Sequence, residues 1–314
     1  MTALEQAMTD YLQLRRSLGH QLADVGRQLP GFVSYLDARG STTVTIEAAL
    51  EWAQQPATDR VTSVGSRRMT AARGFARYLA GIDGDTQIPP LGLIPQPQRR
   101  RRPFIYSAAD IEAVMDQIRC SNASPLRAAT YQTLIGLLAV SGLRIGEAIK
   151  LDRSDVDWGT GVLLIRESKF GKSRLVPLHP STLKALAEHA DLRDTLQPRP
   201  KELSFFVSLT RKRLSYAVVC QTFRQLVDNA GVGTAASSPP RLHDLRHTFT
   251  VRTLLEWYRS GQDVQAKLPA LSTYLGHREP ASTYKYLSAT PELLALAAAR
   301  QDTTWVGARS VDQS

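Results

Sequence analysis

Residues 91–104 read LGLIPQPQRRRRPF. Pro89 and Pro90 precede the stretch, and Pro95, Pro97 and Pro103 lie within it. Proline locks φ and has no N–H to donate, so neither a helix nor a central strand can run through this segment. It reads as an extended, polyproline-like linker that carries Arg99, Arg100, Arg101 and Arg102 in a row. Such a run is either a solvated loop or a segment that neutralises phosphates. A linker at 95–103 divides the chain into a region 1–94, a larger region 104–300, and a polar tail 301–314.

Upstream of the linker the pattern is helical. Residues 7–20 and 25–40 place apolar side chains three and four apart, and Gly19 and Gly40 stand where helices end. Thr45 and Glu47 open a further helix. Residues 61–82 set Met69, Phe75, Tyr78 and Leu79 on one side, with Arg67, Arg68, Arg73 and Arg77 elsewhere around it. The expectation is a small domain of four or five helices. Its arginines are either a solvated helix face or a DNA contact.

Downstream, Ser107 and Asp110 form a capping box before IEAVMDQIR. LRAATYQTLIGLLAVSG (126–142) is a strongly apolar helix stopped by Gly142. GVLLIRESKFGKSRLVPL (161–178) alternates and carries β-branched residues, as a β-hairpin turning near Gly171 does. Helices follow over 182–192, 217–231 and 242–261, with a short apolar one at 291–300. The fold class expected is mainly α, with a small β-hairpin or sheet in the larger domain.

Bulk properties narrow the partners. Among 314 residues, 39 are Lys or Arg and 29 are Asp or Glu, a formal net charge of +10. Arginine supplies most of the excess, and its planar fork matches phosphate oxygens. A polyanion partner is suggested, nucleic acid ahead of membrane, because no basic amphipathic anchor is evident. The apolar run LIGLLAV (134–140) is too short to span a bilayer, and the N-terminus shows no signal-peptide pattern. Cys120 and Cys220 stand far apart and offer neither a disulfide framework nor zinc-ligand spacing. A cytoplasmic location is the expectation.

Four segments carry candidate chemistry. In SGLRIGEAIKL (141–151), Arg144 begins a helix with Glu147 three residues on; alone this is a surface ion pair. In SKFGKSR (168–174), Lys169 and Lys172 flank a turn. In PPRLHDLRHTF (239–249), His243 and Arg246 share a helix face, with His247 one turn from His243. In LGHREPASTYKYL (275–287), His277 precedes Tyr284 and Tyr286.

Together these segments resemble the tyrosine recombinase family, the phage integrases. That family carries an arginine in GLRxxE, a lysine in a hairpin turn, HxLR, LGH, and a tyrosine nine residues after that last histidine; here they read GLRIGE, SKFGKSRLVPL, HDLRHTF, LGH and Tyr286. The resemblance covers about 107–291. It implies a two-domain DNA clamp, with 1–94 as a helical, SAM-like core-binding domain and 104–300 as the catalytic domain. It also implies strand cleavage and rejoining through a 3′-phosphotyrosine, without metal or other cofactor. Arg144 and Arg246 would stabilise the phosphate, and Lys169 would protonate the leaving 5′-oxygen. His243 would act as base or phosphate contact, and His277 would bond the phosphate. Tyr286 would be the nucleophile, with Tyr284 a packing residue. Glu147 and His247 would support the site from behind. Lys172 and Arg174, with the arginines of 67–77 and 99–102, would contact DNA.

Implied partners are double-stranded DNA bearing recombination sites, further copies of the chain as a dimer or tetramer, and accessory proteins, with no membrane. A role on a mobile element is the expectation. The helix at 291–300 either packs on its own domain or docks into a neighbouring protomer. Two alternatives remain: a type IB topoisomerase-like enzyme, disfavoured by LGH and the N-terminal helices, and a silent DNA-binding factor, disfavoured because every catalytic position is occupied.

Overall fold

The computed structural model describes residues 2–20, 22–56, 64–94, 102–166, 173–198, 201–277, 279, 281–287, 292–296 and 298. The chain divides into two compact units, 1–100 and 101–314.

The first unit contains four described helices: α1 (Ala3–Ser17), α2 (Ala23–Ala38), α3 (Ile46–Gln54) and α4 (Val64–Leu79). Thr2 and Glu5 close a capping box on α1, and the Thr45 hydroxyl caps α3 by accepting from the Ala48 N–H. The apolar faces meet around Leu29, Phe32, Leu36, Ala49, Ala72 and Phe75, all fully buried. Phe32 and Trp52 pack ring to ring at 4.7 Å, a contact worth about 0.5–1.5 kcal/mol beyond its buried area. Leu93 and Ile94 pack against this core, so the first residues of the proline-rich stretch belong to the first unit. Arg99, Arg100 and Arg101 lie outside the described residues, and Arg102 is exposed.

The second unit is built on α6 (Pro125–Ser141). Leu134, Ile135, Leu137 and Leu138 on it are at most 2% exposed. A helix this apolar becomes a central element with neighbours on most of its surface, although Gln132 and Val140 remain exposed. Around it lie α5 (Ala108–Arg119), α8 (Pro180–Leu196) and α10 (Asp244–Arg259), and α9 (Tyr216–Asn229) packs on α5. The Ser107–Asp110 capping box forms as expected. Truncating Leu134 or Leu138 to alanine is expected to cost about 2–5 kcal/mol.

Between α6 and α8 the chain forms the short helix α7 (Ile145–Lys150), a 3-10 turn (Arg153–Asp155) and three antiparallel strands. These are β1 (Val156–Asp157), β2 (Val162–Ile165) and β3 (Arg174–Pro177), in the order β1-β2-β3. The expected hairpin is β2–β3, with Ile165 opposite Arg174. Lys169 and Lys172, in its connecting segment, lie outside the described residues. The edge strand β1 was not legible in the sequence, because two residues are too few to show alternation.

Helices α11 (Val264–Leu275) and α12 (Ala281–Tyr284) complete the described elements. With α10 they enclose a second cluster that includes Val251, Leu254, Val264, Leu268, Leu275, Tyr286 and Leu293. Leu293 is fully buried there, so the beginning of the C-terminal apolar segment packs on its own domain. No described helix is long and apolar enough to cross a membrane.

Candidate active site

The carboxyl end of α11 organises the site. The last carbonyls of a helix have no partner inside it. Here three successive ones each accept from a different arginine: Tyr274 O from Arg174 Nε at 2.7 Å, Leu275 O from Arg246 Nη2, and Gly276 O from Arg144 Nη2 at 3.0 Å. Cations at a helix C-terminus also meet the negative end of its dipole. Segments more than a hundred residues apart in sequence are thereby drawn to the residue before His277.

Gly276 is required twice at this junction. Its φ is +65°, in the left-handed region that side chains rarely adopt, and an added Cβ would lie 2.8 Å from Arg174 Nη1. Gly142, which ends α6 at φ +60°, is similarly confined, because a Cβ there would lie 2.4 Å from the Phe249 ring. Its carbonyl accepts from Arg246 Nη1 at 2.7 Å. Arg246 therefore ties the C-termini of α6 and α11 together while almost wholly buried. Burial first, and the Arg144 charge after it, lowers its pKa to about 10, so it remains a cation at neutral pH.

Arg144 occupies the N-cap position of α7, and Glu147 three residues on accepts the Arg144 backbone N–H at 3.0 Å. Glu147 Oε1 also accepts from Arg144 Nη1 at 2.7 Å. Arg174 brings a second guanidinium to the same carboxylate, with Nη2 to Oε2 at 2.8 Å and Nη1 to Oε1 at 3.1 Å. Burial pushes the Glu147 carboxyl up, but the Arg174 and Arg144 donors together overcome it and hold its pKa at about 2.

The histidines surround Tyr286. His277 Nδ1 and the buried Thr283 hydroxyl are 2.8 Å apart, which fixes the imidazole and leaves Nε2 for another partner. The His277 and Tyr286 rings are nearly parallel, with centroids 6.4 Å apart. The His247 ring lies 5.3 Å from Tyr286 and 4.9 Å from His243, edge to face with the latter. His243 stands at the exposed N-terminal end of α10. Desolvation foremost depresses all three: His247 to about 4, with His243 next among the causes; His277 to about 4, with Arg246 and Arg144 next; and His243 below its usual value, with Arg246 next. They are neutral bases at neutral pH. The Tyr286 phenol is 7% exposed. Burial raises its pKa, while Arg246 and a hydrogen bond with Thr250 offset part of the rise. The resting group is a protonated phenol that needs a base.

Tyr284, by contrast, is 44% exposed. The two tyrosines do not share a helix, since α12 stops at Tyr284. A turn separates them, with the Tyr286 N–H donating to Thr283 O at 3.0 Å.

The structure thus gathers Arg144, Glu147, His243, Arg246, His247, His277 and Tyr286 in one place. One expected position differs. Arg174, expected on DNA, is turned inward, its donors directed to Glu147 and Tyr274, because a guanidinium beside a buried carboxylate is held there. The His247 ring packs against Tyr286. Thr250 and Thr283 were missed, because an isolated threonine in a helical pattern carries no signal of its target.

In the first unit, Arg77 and Arg67 are exposed, Arg67 3.6 Å from Asp24. Arg73 donates to Pro89 O at 2.7 Å and to Pro90 O at 2.8 Å; Arg68 donates to Gln55 O at 2.8 Å and lies over the Trp52 ring. These two hold the unit's own backbone.

Residues 107–292 match the phage integrase family. The chain is 42% identical to the putative integrase/recombinase y4rB of Sinorhizobium fredii, covering 97% of this chain and 99% of that protein. The putative integrase/recombinase y4rE of the same organism is 39% identical over 95% of each. Among solved structures, the Tn1549 transposon integrase in complex with transposon right end DNA shares the fold, with a TM-score of 0.64 at 17% identity over 95% of this chain and 98% of that one. The family match across the catalytic unit, and the near full-length agreement with those relatives, carry one conclusion: this chain belongs to the phage integrase family, the tyrosine recombinases.

Proposed function

We propose that the chain is a site-specific DNA recombinase that cleaves and rejoins strands through a 3′-phosphotyrosine formed on Tyr286. The observation that carries this reading is the convergence of Arg144, Arg246 and His277 beside a buried, protonated tyrosine flanked by neutral histidines. A pentavalent phosphate gains negative charge, and preorganised guanidiniums stabilise it. Tyr286 Oη attacks the scissile phosphorus and the P–O5′ bond breaks. The phenol proton passes to His243 or His247, and a proton returns to the leaving 5′-oxygen. Family resemblance assigns that second proton to Lys169, tethered five residues before Arg174 at the foot of the site. The covalent ester conserves the phosphodiester linkage, so a 5′-hydroxyl on another strand reverses the reaction.

The first unit serves as the core-binding domain, with exposed Arg67 and Arg77 as backbone contacts; exposed Arg102, at the start of the second unit, joins them, and Arg99, Arg100, Arg101 and Lys172 do so by charge. A cytoplasmic location is consistent with a DNA substrate. A mobile-element role is supported by the relatives' names, integrase and transposon integrase; assembly as a dimer or tetramer on DNA belongs to the same reading, a solved lambda integrase of the same fold being described as a dimer bound to a core site. A nicked suicide duplex built from DNA flanking the gene tests the reading. Covalent protein–DNA adduct is expected from wild-type protein, and its absence on every flanking site favours a silent DNA-binding factor.

A further inference from the structure

We propose that Arg174 is a positioning residue for strand cleavage: by pairing with Glu147 it leaves the positive charge of Arg144 available to the scissile phosphate. This inference rests on the function proposed above and deepens it.

Glu147 faces two guanidiniums with one carboxylate. Arg174 Nη1 and Nη2 grip both of its oxygens, and Arg174 Nε is committed to Tyr274 O. The Arg174 side chain is 10% exposed, against 26% for Arg144. Arg174 therefore has no free edge to offer DNA, whereas Arg144 keeps one open. The cluster of Arg144, Arg174 and Glu147 carries a net single positive charge. If Arg174 were neutral, Glu147 and Arg144 would cancel, and the carboxylate would compete with phosphate for the Arg144 fork. Charge of the right sign at the reacting centre is worth more beside buried groups such as Glu147 and Arg246 than in water.

The location of Arg174 adds a mechanical role. It is the first residue of β3 and ends the segment that carries Lys169. At the other end of that segment Arg166 binds Asp155 through Nε at 2.7 Å and Asp152 through Nη2 at 2.8 Å. Both roots of the lysine-bearing segment are thus clamped to carboxylates of the catalytic domain. The Arg174 clamp joins that segment to α7 and to the end of α11 in one step.

Single-turnover cleavage of the suicide duplex tests this with Arg174→Gln, Arg174→Lys, Glu147→Gln and the Arg174→Gln/Glu147→Gln pair. Arg174→Gln is expected to slow cleavage about 10²-fold with the dissociation constant and its salt dependence unchanged. Arg174→Lys recovers part of the rate. The double variant restores the net charge and cleaves faster than Arg174→Gln alone, a rescue that a purely structural clamp does not give. A double variant no faster than Arg174→Gln overturns the proposal, as does a salt slope lowered by about one, the mark of a lost phosphate contact. Carbon-13 titration of Glu147 decides independently of activity. Its midpoint is expected to rise in Arg174→Gln, and an unmoved midpoint overturns the proposal. Wild-type protein that forms no adduct overturns the recombinase reading and with it the role in cleavage, while the titration separately decides whether Arg174 holds the Glu147 charge.

Discussion

His277 lies parallel to Tyr286, with a ring separation of 6.4 Å and an interplanar angle of 7°. The imidazole that the Thr283 hydroxyl holds in place therefore lies alongside the phenol in a parallel orientation. Tyr284, two residues earlier, is directed to solvent. Tyr286→Phe is expected to abolish the covalent adduct on a suicide duplex while leaving DNA affinity intact. Tyr284→Phe is expected to retain the adduct. An adduct persisting in Tyr286→Phe would identify another nucleophile.

Gly276→Ala places a side chain at φ +65° and a Cβ 2.8 Å from Arg174 Nη1, between helix α11 and His277. The conformational part alone costs about 1–2 kcal/mol, and displacement of Arg174 adds to it. Urea unfolding should show a loss of at least that size. Cleavage should fall further than stability does, because both His277 and the Arg174–Glu147 pair shift.

Stability should decline with acid. His189, His247 and His277 titrate at about 4 when folded against an ordinary 6.5, so the unfolded chain binds more protons between those values. Folding free energy therefore falls as pH drops from about 6.5 toward 4. Glu147, at about 2 against an ordinary 4.5, stabilises above its unfolded value and loses that contribution as pH falls through 4.5 toward 2. Both signs agree. Urea midpoints measured from pH 8 to pH 4 should decrease, and His189→Phe, removing a buried imidazole whose ring nitrogens have no hydrogen-bond partner among the described residues, should flatten the slope between pH 6.5 and 4.

The arginines of α4 should separate into two classes. Arg77 is exposed, so Arg77→Ala is expected to weaken DNA binding and lower the log–log salt slope by about one without changing the melting temperature. Arg73 holds the Pro89 and Pro90 carbonyls, so Arg73→Ala should lower stability by about 1–3 kcal/mol. The two are distinguished by thermal unfolding and by titrations at several salt concentrations.

Local rules made much of this protein legible in the sequence. The capping box at Ser107 and Asp110, the stop at Gly142, the apolar α6 and the hairpin depend on neighbours a few residues away, and each appears where its pattern stands. The motif spacing singled out Arg144, His243, Arg246, His277 and Tyr286. Helix α11 was not read, since Pro269 within it breaks the expected pattern. Tyr284 was expected to be a packing residue beside Tyr286; a turn after α12 is what separates the two.

What the sequence alone determined is which groups this protein carries and in what order: two units around a proline–arginine linker, and the arginines, histidines and tyrosine of a phosphoryl-transfer site. The tertiary structure decided where each charge is directed. Arg174 and Arg144 look alike in sequence, yet one is buried on Glu147 and the other opens to solvent. His247 meets the tyrosine that His243 does not reach through any described ring contact. A guanidinium or imidazole takes its role from the partners and dielectric around it, and those come from separate segments, in the case of Arg144 and Gly276 132 residues apart. Only the packing of α6, α7, β3, α10 and α11 around three carbonyls brings them together.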